Sequence, residues 1–418
     1  MNLNSTAPNA FAAPGSSDSL LATYRDGLLN DTLPFWLPRA LDREFGGYLT
    51  CFDRDGTILQ TDKSVWFQGR FAWLLATLYN TVEKRPDWLE AARHGIQFLN
   101  QHCFDTDGRM FFWVTRDGQP LRKRRYLFSE SFAVIALAAY GVAAGEMRYK
   151  QQALDLFRLI LRYHTTPGLL PPKANPQVRP MKGLAMPMIL LVTAQELRKA
   201  LNDPLCTEII DQSIEEVERD FLKPEFGAVL ETVGPNGEFY DTFEGRMINP
   251  GHSIELGWFI LEEARHRQND ARLLELGCRI IDHAYTLGWD QEYGGLFYFR
   301  DARGLPCTEY WHDMKFWWPH NEAIIATLLA YLMTGNPKYA GWHRQVHDWA
   351  YAHFPDSEYG EWFGYLHRDG SVANRLKGNM WKGPFHLPRM QWYCWQRLAG
   401  MKADADDTAI WQKSVSNP

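Results

Sequence analysis

The 418-residue sequence lacks the features that mark several common protein classes. Its six cysteines are scattered without a CxxC pair, which argues against a disulfide scaffold or a zinc cluster. The net charge of −6 provides no basic excess for nucleic acid. No run of 18 apolar residues and no signal peptide are visible. The sequence therefore predicts a soluble cytoplasmic protein that binds neither nucleic acid nor a membrane.

Several catalytic motifs are also missing. The sequence contains no HExxH, G-x-S-x-G, G-x-x-x-x-G-K-[ST] or G-x-G-x-x-G. Zinc hydrolysis, an esterase elbow, P-loop chemistry and a dinucleotide fold therefore have no support in the sequence. Any active site has to be assembled from side chains that lie far apart along the chain.

Aromatic residues, in contrast, are abundant. They make up 14% of the sequence and include 17 tryptophans. Flat aromatic faces stack on the C–H surfaces of sugars, but they also fill large cores. Composition leaves both interpretations open.

The chain repeats one local pattern. DREFGGYLTCFDRDG at 42–56 is echoed by WDQEYGGLFYFRDARG at 289–304 and by DSEYGEWFGYLHRDG at 356–370, and weaker copies lie at 104–118, 225–237 and 165–172. One turn glycine from each copy, 59 to 67 residues from the next, marks the series: Gly46, Gly108, Gly168, Gly227, Gly294 and Gly360. A constant step across the chain indicates six structural units.

Each copy predicts a short β-hairpin, and the segments between copies have apolar residues at helical spacing. Six helix pairs suit a closed double ring, so the predicted fold is all-α, an (α/α)6 barrel with short β-hairpins in the inter-helix loops. We predict one catalytic domain over residues 19–405, a disordered leader at 1–18 and a C-terminal tail at 406–418.

Three histidines stand where the chain enters a helix from a turn: His252, His320 and His386. Side chains at the mouths of inner helices should converge on a central cleft. His252 could be a proton-transfer group, a metal ligand or a buried structural histidine. Glu255, one helical turn later, could orient its imidazole or serve the helix dipole. No familiar spacing supplies further ligands, so we predict no metal site.

Arg70 lies in an apolar helical segment, WFQGRFAW. An unpaired guanidinium is costly to bury. Either a buried carboxylate pairs with Arg70, or its side chain faces the cleft and binds an oxyanion. We favour the cleft.

The motifs around these residues resemble the N-acylglucosamine 2-epimerase family, which includes the renin-binding proteins. The resemblance runs from about residue 24 to 396 and rests on DxExGGYxTCxDRDG, DKxxWxQGR, NPGHSIELGWF, WDxEYGGLFYF, MKFWWPHNEA, PDSEYGEWFGYLHRDG and KGPFHLPR. It implies an (α/α)6 barrel and reversible interconversion of N-acetylglucosamine and N-acetylmannosamine, a sialic acid precursor.

The resemblance also implies roles for individual residues. His252 and His386 would move the C2 proton of the open-chain sugar on opposite faces. Arg70 would stabilise the enolate oxygen, and Glu255 would orient His252. The residues expected to form the sugar site are Glu322, Trp318 and His320.

Many family members use ATP as an activator that is not consumed, and they are commonly homodimers. The loop LLPPKANPQVRPMKGLAMPM offers Lys173, Arg179 and Lys182 as phosphate partners, although it lacks a glycine-rich cradle. A basic loop without a ligand is the alternative.

Three other functions stay open. An aldose–ketose isomerase or a 2-epimerase for mannose and glucose sugars would use the same proton chemistry. A glycoside hydrolase would need paired carboxylates such as Glu130, Asp241 and Glu244. A binding protein without catalysis would need no catalytic residues.

Overall fold

The computed structural model describes the backbone of residues 16–415 and the side chains of residues 17–400. Over that range the chain forms thirteen α-helices: α1 Ser16–Gly27, α2 Leu33–Ala40, α3 Val65–Thr81, α4 Pro86–His102, α5 Phe128–Ala143, α6 Met147–Thr165, α7 Ala185–Ala200, α8 Pro204–Glu216, α9 Pro250–His266, α10 Ala271–Gly288, α11 Trp317–Thr334, α12 Pro337–His353 and α13 His386–Val415.

Six helices form an inner ring because they are apolar around most of their circumference. In α11, for example, every residue from Trp317 to Tyr331 is buried. Inner helices contact their neighbours in the order α3, α5, α7, α9, α11, α13, and α13 returns to α3. Outer helices α4, α6, α8, α10 and α12 each pack on the preceding inner helix, and α1 packs on α13. The predicted (α/α)6 barrel is confirmed.

Short strands occupy the loops that lead into the inner helices. Their bounds are β1 Cys51–Phe52, β2 Ile58–Gln60, β3 Lys63–Ser64, β4 Phe111–Val114, β5 Pro120–Lys123, β6 Lys182–Gly183, β7 Leu222–Lys223, β8 Ala228–Val229, β9 Thr232–Val233, β10 Met247–Ile248, β11 Arg300–Asp301, β12 Lys315–Phe316, β13 Tyr365–Leu366 and β14 Val372–Asn374. Hairpins form within loops, as in β4–β5 and β13–β14, and strands of successive loops also pair, as in β3–β4 and β12–β13. The loops therefore form a connected rim around one end of the barrel.

The six turn glycines confirm the repeat. All of them have φ between 57° and 83°. Residues with a Cβ rarely adopt this left-handed conformation, whereas glycine does so readily. Even the degenerate copy at 165–172 has the same turn, since the φ of Gly168 is 83°.

Buried ion pairs join the rim loops. In three copies the leading aspartate contacts a buried lysine and an arginine from another copy: Asp42 with Lys63 and Arg116, Asp290 with Lys315 and Arg368, and Asp356 with Lys377 and Arg54. Arg54 belongs to the first copy and Asp356 to the last, and their atoms lie 2.8 Å apart. This pair joins the two ends of the ring.

The described residues include parts of both predicted terminal segments. Helix α1 begins at Ser16, inside the segment predicted as a leader, while residues 1–15 lie outside the described residues. Most of the predicted tail at 406–418 continues α13 as far as Val415, and 416–418 lie outside the described residues. No helix in the described part of the chain combines the length and apolar character needed to cross a membrane.

Candidate active site

The inner ring encloses a cavity of about 1560 Å³. Aromatic side chains from several inner helices line it, including Trp66, Phe132 and Trp258. Other tryptophans, such as Trp36 and Trp88, are fully buried in the core. The abundant aromatic residues therefore line a cleft and also fill the core.

His252 enters the cavity from the first turn of α9. The turn is capped by Asn249, whose Oδ1 accepts the backbone N–H of His252 at 3.1 Å. The imidazole Nδ1 lies 3.0 Å from Oε2 of Glu231. A carboxylate only accepts hydrogen bonds, so Nδ1 carries the hydrogen, and Nε2 has no protein partner among the described residues.

The charge of Glu231 sets the protonation of His252. Burial opposes a positive charge on the imidazole, but the negative charge and hydrogen bond of Glu231 outweigh it, so the pKa of His252 lies above its ordinary value. His252 therefore holds a proton more readily than a free histidine.

His386, the first residue of α13, reaches the cavity from another side. Its Nδ1 is 2.7 Å from Oε1 of Glu322, which again leaves Nε2 without a partner in the described chain. Glu322 is shared, because Arg389 Nη2 lies 2.6 Å from the same oxygen. Burial and the positive charge of Arg389 lower the pKa of His386 well below its ordinary value. His386 is therefore neutral.

Arg70 lines the same cavity from α3. Its guanidinium lies over the rings of Phe132, 4.0 Å from the centroid, and Phe385, at 4.6 Å. No carboxylate lies within 4.0 Å among the described residues, and Nε has no hydrogen-bond partner. Burial lowers the pKa of Arg70 to about 9, which keeps it charged at neutral pH. The cleft-facing position predicted for Arg70 is the one observed.

Trp318 packs against both histidines. Its ring centroid is 5.1 Å from that of His252 and 5.6 Å from that of His386. Gly251 makes room for this ring, because a Cβ at that position would lie 2.7 Å from it. The two imidazoles and Arg70 thus share one aromatic-walled cavity.

Comparison with known proteins identifies the family. The N-acylglucosamine 2-epimerase (GlcNAc 2-epimerase) family matches residues 47–386. The chain belongs to this family. It is 38% identical to the N-acylglucosamine 2-epimerase of Bos taurus over 381 residues, which cover 88% of this chain and 89% of the other. The predicted family is confirmed.

Solved structures with less sequence similarity share the epimerase family's fold. Cellobiose 2-epimerase from Spirochaeta thermophila superposes with a TM-score of 0.80 at 23% identity, covering 93% of this chain and 99% of the other. A D-mannose isomerase gives 0.76 at 18% identity, covering 91% and 98%. These likenesses show the barrel alone.

The prediction that the Glu255 carboxylate contacts and orients His252 is wrong. Its Oε1 lies 2.5 Å from Nη2 of Arg389, and no hydrogen bond joins it to His252. The i,i+3 spacing places both residues on one face of α9, but the guanidinium from α13 holds the carboxylate. Glu231 contacts His252 instead. It was missed because it lies 21 residues before His252, in the loop just before β9, where no local motif marks it.

Two residues predicted to bind the sugar lie behind the cavity wall. Glu322 is fully buried and accepts a hydrogen bond from Trp258 Nε1 at 2.9 Å. His320 is also fully buried: Nε2 accepts the N–H of Leu296 at 2.9 Å, and Nδ1 donates to the carbonyl of Phe316 at 2.7 Å. Burial lowers the pKa of His320 to about 3. Neither residue lines the cavity, whereas Trp318 does.

One group of side chains has the composition of a metal site. Ligand atoms of Glu255, Glu322 and His386 lie within 4.8 Å of one another. Arg389 Nη2 contacts both carboxylates and lies 3.3 Å from Nδ1 of His386. Its guanidinium neutralises the negative charge that these carboxylates would otherwise offer to a cation.

The remaining predicted residues lie away from the cavity. Lys173 pairs with Glu244 at 3.0 Å, Lys182 pairs with Glu216 at 2.8 Å, and Arg179 is exposed. The carboxylates considered for hydrolysis are also engaged elsewhere: Glu130 with Arg109, and Asp241 with Arg246 and Arg303.

Proposed function

We propose that this chain catalyses the reversible interconversion of N-acetyl-D-glucosamine and N-acetyl-D-mannosamine. The observation that carries the proposal is a pair of histidines that line one cavity, each with its Nδ1 held by a carboxylate; the pKa of His252 is raised and that of His386 is lowered. Relatives named N-acylglucosamine 2-epimerase, at 38% identity in Bos taurus and 36% in Homo sapiens, support the substrate.

In the proposed reaction, neutral His386 removes the C2 proton of the open-chain aldehyde. Arg70 lies in the same cavity with its positive charge unpaired, suited to stabilise the enolate oxygen that forms. Protonated His252 then returns a proton to the opposite face of C2, which inverts the centre. In the reverse direction the two histidines exchange roles.

The test is isotope uptake at C2. Each N-acetyl sugar is incubated with the protein in D2O, and the products are resolved by NMR. The proposal expects both epimers to form with deuterium at C2. Epimers that equilibrate while keeping protium at C2 would contradict it.

The main alternative is an aldose–ketose isomerase or a 2-epimerase for mannose and glucose sugars. A D-mannose isomerase shares the fold, so the fold does not discriminate. Incubation with mannose and with N-acetylmannosamine separates the possibilities. Ketose formation without an epimer would replace the proposed function.

We further propose that ATP activates the enzyme without being consumed and that the enzyme is a cytoplasmic homodimer. Arg179 is exposed and has no ion-pair partner in the described part of the chain, while Lys173 and Lys182 would have to leave carboxylates. Initial rates with and without ATP, and molar mass by light scattering, test these points. A rate that ATP leaves unchanged would contradict the activation, and the molar mass of a monomer would contradict the homodimer.

A further inference from the structure

The carboxylate partners of the two cavity histidines differ. Both oxygens of Glu231 lie within hydrogen-bond distance of His252 Nδ1, at 3.0 and 3.1 Å, and Glu231 has no cationic side chain within 4.0 Å besides His252 in the described chain. Glu322 instead divides its charge between His386 and Arg389. An undivided carboxylate stabilises an imidazolium more strongly than a shared one.

We propose that Glu231 is a positioning residue that holds the Nδ1–H of His252 and keeps the resting enzyme's single catalytic proton on that histidine. The inference rests on the proposed function. It adds a physical reason why His252 starts the reaction protonated while His386 starts it neutral.

The backbone holds Glu231 firmly in place. Its N–H donates to the carbonyl of Met247 at 3.1 Å, and its own carbonyl accepts the N–H of Leu184 at 3.0 Å. Both contacts tie it to the rim beside β10 and α7. Glu231 can therefore fix the imidazole plane as well as its charge.

Other charged and titratable groups near His252 do not replace Glu231. Glu255 on α9 contributes a weaker attraction and is bound to Arg389. Tyr298, from the loop before β11, is neutral because burial raises its pKa. His386 across the cavity would repel a charged His252.

A resting proton on His252 has a kinetic consequence. Activity in either direction needs one proton on the histidine pair, so the rate falls when that proton is lost at high pH. Glu231 keeps the proton bound to a higher pH. The pH at which kcat/KM falls on the alkaline side of its profile should therefore depend on the carboxylate of Glu231.

The test compares pH profiles of Glu231→Gln, Glu231→Asp and the wild-type enzyme in both directions. Glu231→Gln removes the charge but keeps an acceptor, so its alkaline limb should move down by about one to two pH units. Glu231→Asp should recover part of the shift. Glu238→Gln, an exposed carboxylate in the neighbouring turn, is the matched control and should leave the profile unchanged. An unmoved alkaline limb in Glu231→Gln would overturn the proposal.

A second measurement does not depend on turnover. ¹⁵N NMR of labelled imidazoles, with the His252 signal assigned by its loss in His252→Gln, gives the pKa of His252 directly. A lower His252 pKa in Glu231→Gln supports the inference, and an equal pKa overturns it. If the pKa falls but no sugar is epimerised, the proposed function fails while the link between Glu231 and His252 stands.

Discussion

At the scale of single residues, the unused nitrogen of each cavity histidine decides what it can do. His252 and His386 each use Nδ1 for a carboxylate and present Nε2 to the cavity. His320 uses both nitrogens for backbone groups. Its imidazole therefore has no free nitrogen to take a proton from a substrate, although His320, like His252 and His386, stands where the chain enters a helix from a turn.

Replacing one cavity histidine should separate proton exchange from inversion. We expect His252→Gln and His386→Gln each to lose roughly 100- to 10,000-fold in epimerisation rate. Each variant keeps one base, so it should still exchange the C2 proton of one epimer for deuterium without inverting it. NMR in D2O measures both events. His164→Gln, at an exposed position on α6, is the control. Full inversion by either variant would contradict a two-base site.

Replacing His320 should affect stability and leave catalysis alone. His320→Ala strands the buried N–H of Leu296, which costs about 1–3 kcal/mol in the free energy of unfolding. Urea unfolding measures the loss, and KM of the folded variant should equal that of the wild-type enzyme. A raised KM with unchanged stability would restore the role in sugar binding that the structure removes.

At the scale of helices, close contact between α3 and α5 shapes the wall beside Arg70. Gly69 lets the two backbones approach, since a Cβ there would lie 2.6 Å from the carbonyl oxygen of Phe132. The ring of Phe132 in turn lies against the guanidinium of Arg70. The packing of two inner helices thus sets the position of a charged group in the cavity.

Gly69→Ala should therefore destabilise the protein. Overpacking of about 1–3 kcal/mol outweighs the gain of up to about 1 kcal/mol that alanine brings to a helix. Gly341→Ala in α12 is the matched control, because nothing lies within 4 Å of its Cβ position, and we expect it to stabilise the protein slightly. Urea unfolding compares the two. Equal changes in stability would show that α3 and α5 can move apart freely.

At the scale of the whole molecule, buried ion pairs hold the rim loops together. Burial alone would raise the pKa of Asp42, but Arg116 and Lys63 lower it to about 2. The pKa values of Asp290 and Asp356 are also lowered, since burial is outweighed by their arginine and lysine partners. Each aspartate binds its proton less readily in the folded state than in the unfolded chain.

These aspartates should make the barrel acid-sensitive. Their contribution is complete above the ordinary aspartate pKa of about 4 and is lost as the pH falls toward about 2. Thermal unfolding between these pH values should show the loss. Asp356→Asn, which leaves buried Lys377 without its carboxylate and breaks the contact to Arg54, should be less stable at neutral pH by about 3–5 kcal/mol and less acid-sensitive. Unchanged acid sensitivity in this variant would contradict the prediction.

The sequence by itself was sufficient to predict the barrel, because periodic apolar residues and repeated turn glycines act locally. It also indicated His252, His386 and Arg70 as residues facing the cleft. Only the tertiary structure decided which carboxylate serves which histidine. Successive residues point about 100° apart around a helix. The position of a histidine relative to the start of its helix therefore decides whether the side chain faces the core, as His320 does, or the cavity, as His252 does. Glu231 lies 21 residues before His252 in the loop that leads into α9, and only the folding of this loop onto the first turn of α9 brings the two side chains together.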